Sequence, residues 1–434
     1  MTDTQRRSGA TPTGPLPVGD DTEVLRVPGF RRLWSANNFR FAASEVAGFA
    51  LPVTALVLLH ASPLAMSLIF VCSRAGYLTV GLPAGVWIDR MRKKPVLIGA
   101  DVAYAAAFGS IPVAHVLGVL TVAQLAVAAL VVSLAGVFFD VAHSSVLPQV
   151  LPRRRVADGN ARLQSSETAL RAVSPGLAGV LTQSVAAPLL YAVAALCHLA
   201  SILLLRRLEP EGDVAHGRDA AGRRFRREIA DGLRMLFRQP LLRLLLQQAA
   251  LNNLGAGVVL AMLPVFLLDE LGLSAWLFGL LSTLGAVAGF ATSLLAPRLR
   301  RRFGEIRMTL AFGALAPLAV VAAPLAGDFR GAAVPLMVLA EVLISVAVVG
   351  RAVSTAGLRA RVTPDAYLGR VTAAYSVVTQ GATPLGALAG GLVAGHWSTG
   401  AALWTGALVM AVPLLLLLLS PLARHRRLPA EWEV

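Results

Sequence analysis

Charge is scarce in this chain. Only 15% of its 434 residues are Asp, Glu, Lys or Arg, where an average soluble domain carries about a quarter. With 56% hydrophobic residues and a mean hydropathy of +0.68, a soluble domain is excluded. Cysteine is scarcer still. Cys72 and Cys197 both sit inside apolar runs, which suits buried thiols better than a disulfide or a metal pair. CxxC, HExxH, GxSxG and the phosphate-cradling GxxxxGKS are all missing, so nothing in the sequence supports an enzyme, a bound cofactor or an ATP-driven pump. Residues 1–29 are polar, rich in Pro, Gly and Thr, and lack the apolar core of a signal peptide. They read as a disordered cytoplasmic tail.

What is present is one long apolar run after another. Twelve can be marked, at about 34–59, 64–88, 96–119, 121–147, 160–184, 187–206, 241–268, 274–297, 306–326, 331–356, 368–394 and 399–420, most of them long enough to cross ~30 Å of hydrocarbon. The predicted fold is an all-α membrane protein of twelve transmembrane helices in two six-helix bundles. Basic clusters fall in every second connection: Arg31–Arg32, Arg90–Lys94, Arg153–Arg155, Arg223–Arg227, Arg298–Arg302, Arg359–Arg361 and Arg424–Arg427. The intervening turns, marked by His60, His115, Pro188, Asp269–Glu270, Arg330 and His396, carry almost none. That asymmetry places both termini in the cytoplasm of a cell bounded by this membrane. It also disposes of the net charge of +15 as a sign of nucleic acid: the natural partners of these arginines are anionic lipid headgroups.

The longest polar interruption, 207–240, divides the chain into bundles at 30–206 and 241–420, followed by a tail at 421–434. Within it, Arg223 to Phe237 sets apolar residues at helical spacing opposite arginines. Such a helix would lie along the inner membrane surface, with a plain solvated linker as the alternative. The halves echo each other. Ser174-Pro175-Gly176-Leu-Ala178-Gly179 in the fifth run is matched by Thr383-Pro384-Leu-Gly386-Ala-Leu-Ala389-Gly390 in the eleventh, about 210 residues later, as parallel six-helix repeats require.

Charges inside apolar runs are costly unless paired or wetted. Counting helical rise from the nearest membrane edge puts Glu45 and Arg74 each about 16 Å deep on adjacent spans, which predicts an ion pair between them. Glu341 reaches a similar level from the other half. These residues, with Asp101 and Asn253, are the candidates for a proton and substrate path. Glu45 and Glu341 are the candidate proton-exchanging acids. Arg40 and Asp101 lie shallower and are expected to pair, as are Glu167 and Arg171 at i, i+4. Asn252 and Asn253 read as interhelical hydrogen-bonding residues, and Arg351 as an anchor reaching for the interface. In the turn Gly85-Val-Trp-Ile-Asp89-Arg90-Met-Arg92-Lys93-Lys94, Gly85 would let helices approach closely, and Asp89 would cap a helix or meet a base. Asp140, at the inner end of the fourth run, is the expected partner of Arg90 or Arg92.

That turn resembles the loop between the second and third helices of the major facilitator superfamily, with Gly85, Asp89, Arg90 and the Lys93–Lys94 pair in matching places and Arg92 where many members have glycine. The resemblance implies that Gly85, Asp89, Arg90, Arg92, Lys93 and Asp140 form a cytoplasmic gate. Pro175, Gly176, Gly179 and Pro384 resemble the helix-bend motif of the superfamily's antiporters. Phe30-Arg-Arg-Leu-Trp34 and Phe138-Phe-Asp140-Val-Ala142-His-Ser144-Ser-Val-Leu147-Pro148 are similar to the enterobactin-exporter and macrolide-efflux subgroup. This implies a monomeric, proton-coupled plasma-membrane exporter of lipophilic or amphipathic small molecules. An importer of the same fold, and a non-transporting sensor or scaffold, are the alternatives.

Overall fold

The computed structural model describes residues 22–209, 221–364 and 367–420, apart from the side chains at 22–23, 82–83, 86, 89 and 221–229. The tails at 1–21 and 421–434 lie outside the described residues, as does the stretch 210–220. All regular structure among the described residues is helical.

Each apolar run folds as a span. The first is Pro28–Val53, continued by a wider π-helical turn at Thr54–Leu58. The second comes in two pieces, Pro63–Thr79 and Gly81–Asp89. Lys93–Val116, Val122–Val150, Val156–Leu181 and Ala187–Arg206 complete the first half. The seventh span is Pro240–Val265, extended by a π-helical turn at Phe266–Glu270. It is followed by Ala275–Phe303, Glu305–Asp328, Ala333–Arg361, Leu368–His396 and Thr399–Leu419. Ten of these are long and apolar enough to cross a membrane by length and composition alone. The second is divided, and the fifth carries Asp158, Arg162, Glu167 and Arg171.

Local chemistry explains where helices start and stop. Proline, which has no N–H to leave unsatisfied, occupies the first turn at Pro28, Pro63, Pro188 and Pro240. Ser62, Thr121 and Ser398 accept the N–H three residues on, at 3.3, 3.2 and 3.0 Å. At the arginine-rich end, bases satisfy carbonyls that helix termini leave open. Lys93 Nζ donates to the carbonyls of Ile88 and Met91 at 2.8 and 2.9 Å. Lys94 Nζ reaches the Arg206 carbonyl at 2.8 Å, and Arg32 the Arg207 carbonyl at 2.6 Å.

Packing follows one plan twice. In the first half, span 1 packs on 5 and 6, span 3 on 4 and 6, and span 2 on 4. In the second, span 7 packs on 11 and 12, span 9 on 10 and 12, and span 8 on 10. Adding six to every number converts one set into the other. Two seams join the halves, span 5 against 8 and span 2 against 11, and the same rule exchanges them. The result is two pseudo-symmetric six-helix bundles. Lipid tails are as apolar as leucine, so association depends on close backbone approach. Small residues supply it. A Cβ on Gly76 would strike the Ser133 backbone, one on Gly257 the Thr383 carbonyl, and one on Gly386 the Leu254 carbonyl.

The repeat extends to fine detail. Pro28 and Pro240 open spans 1 and 7, Pro52 and Pro264 lie near their far ends, and the π-helical turns begin at Thr54 and Phe266. His60 and Gly272 then take positive φ, 48° and 63°. The members of each pair are 212 residues apart.

The helix Ala221–Arg238 does not simply lie along a membrane surface. It packs against spans 11 and 7 and more lightly against Gly81–Asp89. Leu236 is fully buried in a cluster with Leu242, Leu245, Tyr375 and Leu417, and Gly232 sits against the Arg370 backbone.

Candidate functional site

The seams between the halves are tightest at the arginine-poor end. A Cβ on Gly179 of span 5 would lie 3.2 Å from the Gly279 and Trp276 Cα atoms of span 8. A Cβ on Gly176 would lie 2.7 Å from the Thr283 hydroxyl. Gly391 of span 11 abuts Ser67 of span 2, the Phe49 and Phe278 rings stack at 5.6 Å, and the two π-helical turns touch. Helices Val156–Leu181 and Leu368–His396 run on through Pro175 and Pro384, and the adjoining small residues supply the close contact. The arginine-poor end is closed.

Behind that closure sit the mid-depth charges. Arg74 lies eleven residues from the start of span 2, and Arg171 ten from the end of span 5. Both are therefore about 15–16 Å from the closed end. Both side chains are exposed. Arg171 lies within electrostatic reach of Arg74 and of Glu45. Spans 2 and 5 are the two spans of the first half that form the seams with the second, so arginines on them that sense each other point into the space between the halves. The guanidinium of Arg171 stands 5.2 Å from the Phe41 ring centroid, and that of Arg74 5.6 Å from Phe70. Glu341 approaches from span 10. Its carboxylate and the Ser345 hydroxyl lie where a Cβ on Gly285 of span 8 would meet them, at 3.1 and 2.9 Å. Asn253 is half-buried in span 7, beside fully buried Asn252.

Several expected pairings are rearranged. Glu45 and Arg74 form no ion pair; the base within electrostatic reach of Glu45 is Arg171, on span 5, which packs directly on span 1. Glu167 accepts from Asn37 Nδ2 at 2.8 Å rather than from Arg171. Asp101 does not take Arg40. It is fully buried, with His198 Nδ1 at 2.8 Å on one oxygen and the Ser201 hydroxyl donating at 2.6 Å to the other. Tyr104 stacks on His198 at 4.5 Å. Arg40 instead lies 3.4 Å from Asp140 and 4.1 Å from the Phe139 ring centroid, and the Tyr77 hydroxyl donates to the other Asp140 oxygen. Asp140 thus joins spans 1, 2 and 4 and does not pair with Arg90 or Arg92. The Asp89 side chain lies outside the described residues. Arg90 and Arg92 are exposed, while Lys93 is buried under the turn as a helix cap. Gly85 faces open space, and the close approach in this span belongs to Gly76. Arg351 is buried, not an interfacial anchor.

The site residues not foreseen are Tyr77, His198 and Ser201, and Arg171 was expected only as the partner of Glu167. A histidine or arginine within an apolar run was the available signal, and its partners are set by which spans touch.

The superfamily model described as Major Facilitator Superfamily matches residues 33–350. The chain belongs to the major facilitator superfamily. Among curated proteins none matches its sequence. Solved structures match in fold. A bacterial homologue of the iron transporter ferroportin, inward-facing, overlays with a TM-score of 0.72 at 18% identity, covering 91% of this chain and 98% of that one. A bacterial ferroportin homologue in its outward-facing state gives 0.55 at 19%, over 90% and 98%. The nucleoside transporter NupG gives 0.71 at 13%, over 89% and 97%. The chain is a multi-pass membrane protein and a secondary transporter of this superfamily.

Proposed function

We propose that this transporter exports lipophilic or amphipathic small molecules across the plasma membrane by alternating access, with the arginine-rich end and both termini in the cytoplasm. The observation that carries the reading is the asymmetric seam: the halves are packed hard together at the arginine-poor end while Arg74, Arg171, Glu45 and Glu341 occupy a shared level behind it. That is the arrangement of an inward-facing carrier, whose halves rock about a midplane site. The better overlay on an inward-facing relative than on an outward-facing one supports it. Glu341 makes no ion pair or hydrogen bond among the described residues, so it is the acid free to exchange a proton or meet a substrate. Proton re-entry through Glu341 or Glu45 drives export in this reading.

Everted membrane vesicles test it. Energised vesicles should accumulate a lipophilic fluorescent dye, and a protonophore should abolish the accumulation. Dye movement untouched by the protonophore removes the proton role, and accumulation only in right-side-out vesicles makes the protein an importer. Asp89→Asn should insert normally and lose most transport; full activity would reduce the Asp89 turn to a topology anchor.

A further inference from the structure

Resting on that reading of the cavity, we infer that its first half holds a seat for an acidic group: the guanidinium groups of Arg74 and Arg171 bind a carboxylate, sulfonate or phosphate carried by an amphipathic substrate. Four observations lead there. The arginines lie at one depth on the two spans of the first half that form the seams with the second, and both are exposed at that depth. Neither forms an ion pair with a carboxylate among the described residues. Each keeps company with an aromatic ring, Phe70 or Phe41, which stabilises a cation without neutralising it. Glu45 lies within electrostatic reach of Arg171, no acid among the described residues reaches Arg74, and Glu167, one turn before Arg171, is engaged by Asn37.

Two like charges at membrane mid-depth are an expensive arrangement in the absence of an anion. Guanidinium forks match the geometry of carboxylates, sulfonates and phosphates, and the flanking Phe41 and Phe70 offer apolar surface to the rest of an amphipath. The arginine-poor end is sealed by the Gly391–Ser67 and Gly179–Gly279 contacts, so such a ligand enters from the arginine-rich end. Glu341, on the opposite half, then has a role distinct from this seat.

The test uses two dyes that share one ring system, anilinonaphthalene sulfonate and neutral phenylnaphthylamine. Binding is measured on the full-length protein in phosphatidylcholine nanodiscs, with empty discs subtracted. Arg74→Gln and Arg171→Gln should each weaken binding of the sulfonate by about tenfold, the scale of one lost charge-assisted bond, and leave the neutral dye within twofold. Glu45→Gln should tighten sulfonate binding. The inference is overturned if both arginine variants keep wild-type sulfonate affinity, or if they lose both dyes equally while thermal unfolding shows an intact fold. Failure of transport is separable. Arginine-dependent sulfonate binding without vesicle accumulation keeps the seat and discards the export reading; accumulation without charge selectivity does the reverse.

Discussion

Asp101 has partners on both carboxylate oxygens, and neither it nor His198 nor Ser201 reaches the surface. A carboxylate held this way ties span 3 to span 6 and is stranded if a partner is lost. His198→Ala should therefore destabilise the protein by about 3 kcal/mol, read from denaturant unfolding in detergent, with the cavity charges unaffected. Glu341 is the opposite case, a carboxyl with small neighbours and no fixed partner among the described residues. Glu341→Gln should preserve expression and unfolding midpoint while lowering energised dye accumulation at least tenfold. Unchanged accumulation would move the proton role to Glu45. Arg40 belongs between these extremes. It shares the Asp140 carboxylate with Tyr77, one oxygen each, and Asp140→Asn should loosen the contact of spans 1, 2 and 4 together.

Helices in this fold begin and end by the same devices in both halves, because the elements are repeats. The 212-residue register ties Pro28 to Pro240, one π-helical turn to the other, and His60 to Gly272. Gly272 adopts φ 63° without strain, whereas His60 holds φ 48° at a cost that only glycine escapes. Gly272→Ala should thus destabilise by about 1 kcal/mol, while His60→Gly should leave the unfolding midpoint unchanged or raise it. A loss of stability in His60→Gly would show that the imidazole itself holds the turn. The second span is the element least like an ideal membrane helix, and its division at Val80 allows Gly81–Asp89 to carry the charged turn while Gly76 packs on Ser133.

At the scale of the whole molecule, the two seams decide which side is open. In a chain lacking Cys72 and Cys197, cysteines replacing Ser67 and Gly391 would bring sulfurs together across the 2–11 seam once the two helices part by about 1 Å. Oxidation should then stop transport and reduction should restore it, measured in vesicles. Continued transport with the bond formed would mean that this seam does not open. Bulk at the other seam acts oppositely. Gly179→Val should hold the halves apart at the arginine-poor end and raise labelling of a cysteine at position 45 by a membrane-impermeant reagent added from that side.

The number and approximate limits of the spans were legible in the sequence, as was the division into two repeats, because a bilayer demands long apolar runs with satisfied backbones and these leave a periodic trace. Position along each helix follows from its fixed rise. Direction around each helix does not. Glu45 and Arg74 were expected to pair, yet the base within electrostatic reach of Glu45 is Arg171, on span 5, which packs against span 1. Asp101 and Arg40 were placed on the same side of the bundle, yet His198 and Asp140 claim them. Rise along an axis belongs to one helix, whereas partner choice depends on which faces of twelve helices meet, and only the packed bundle decides that.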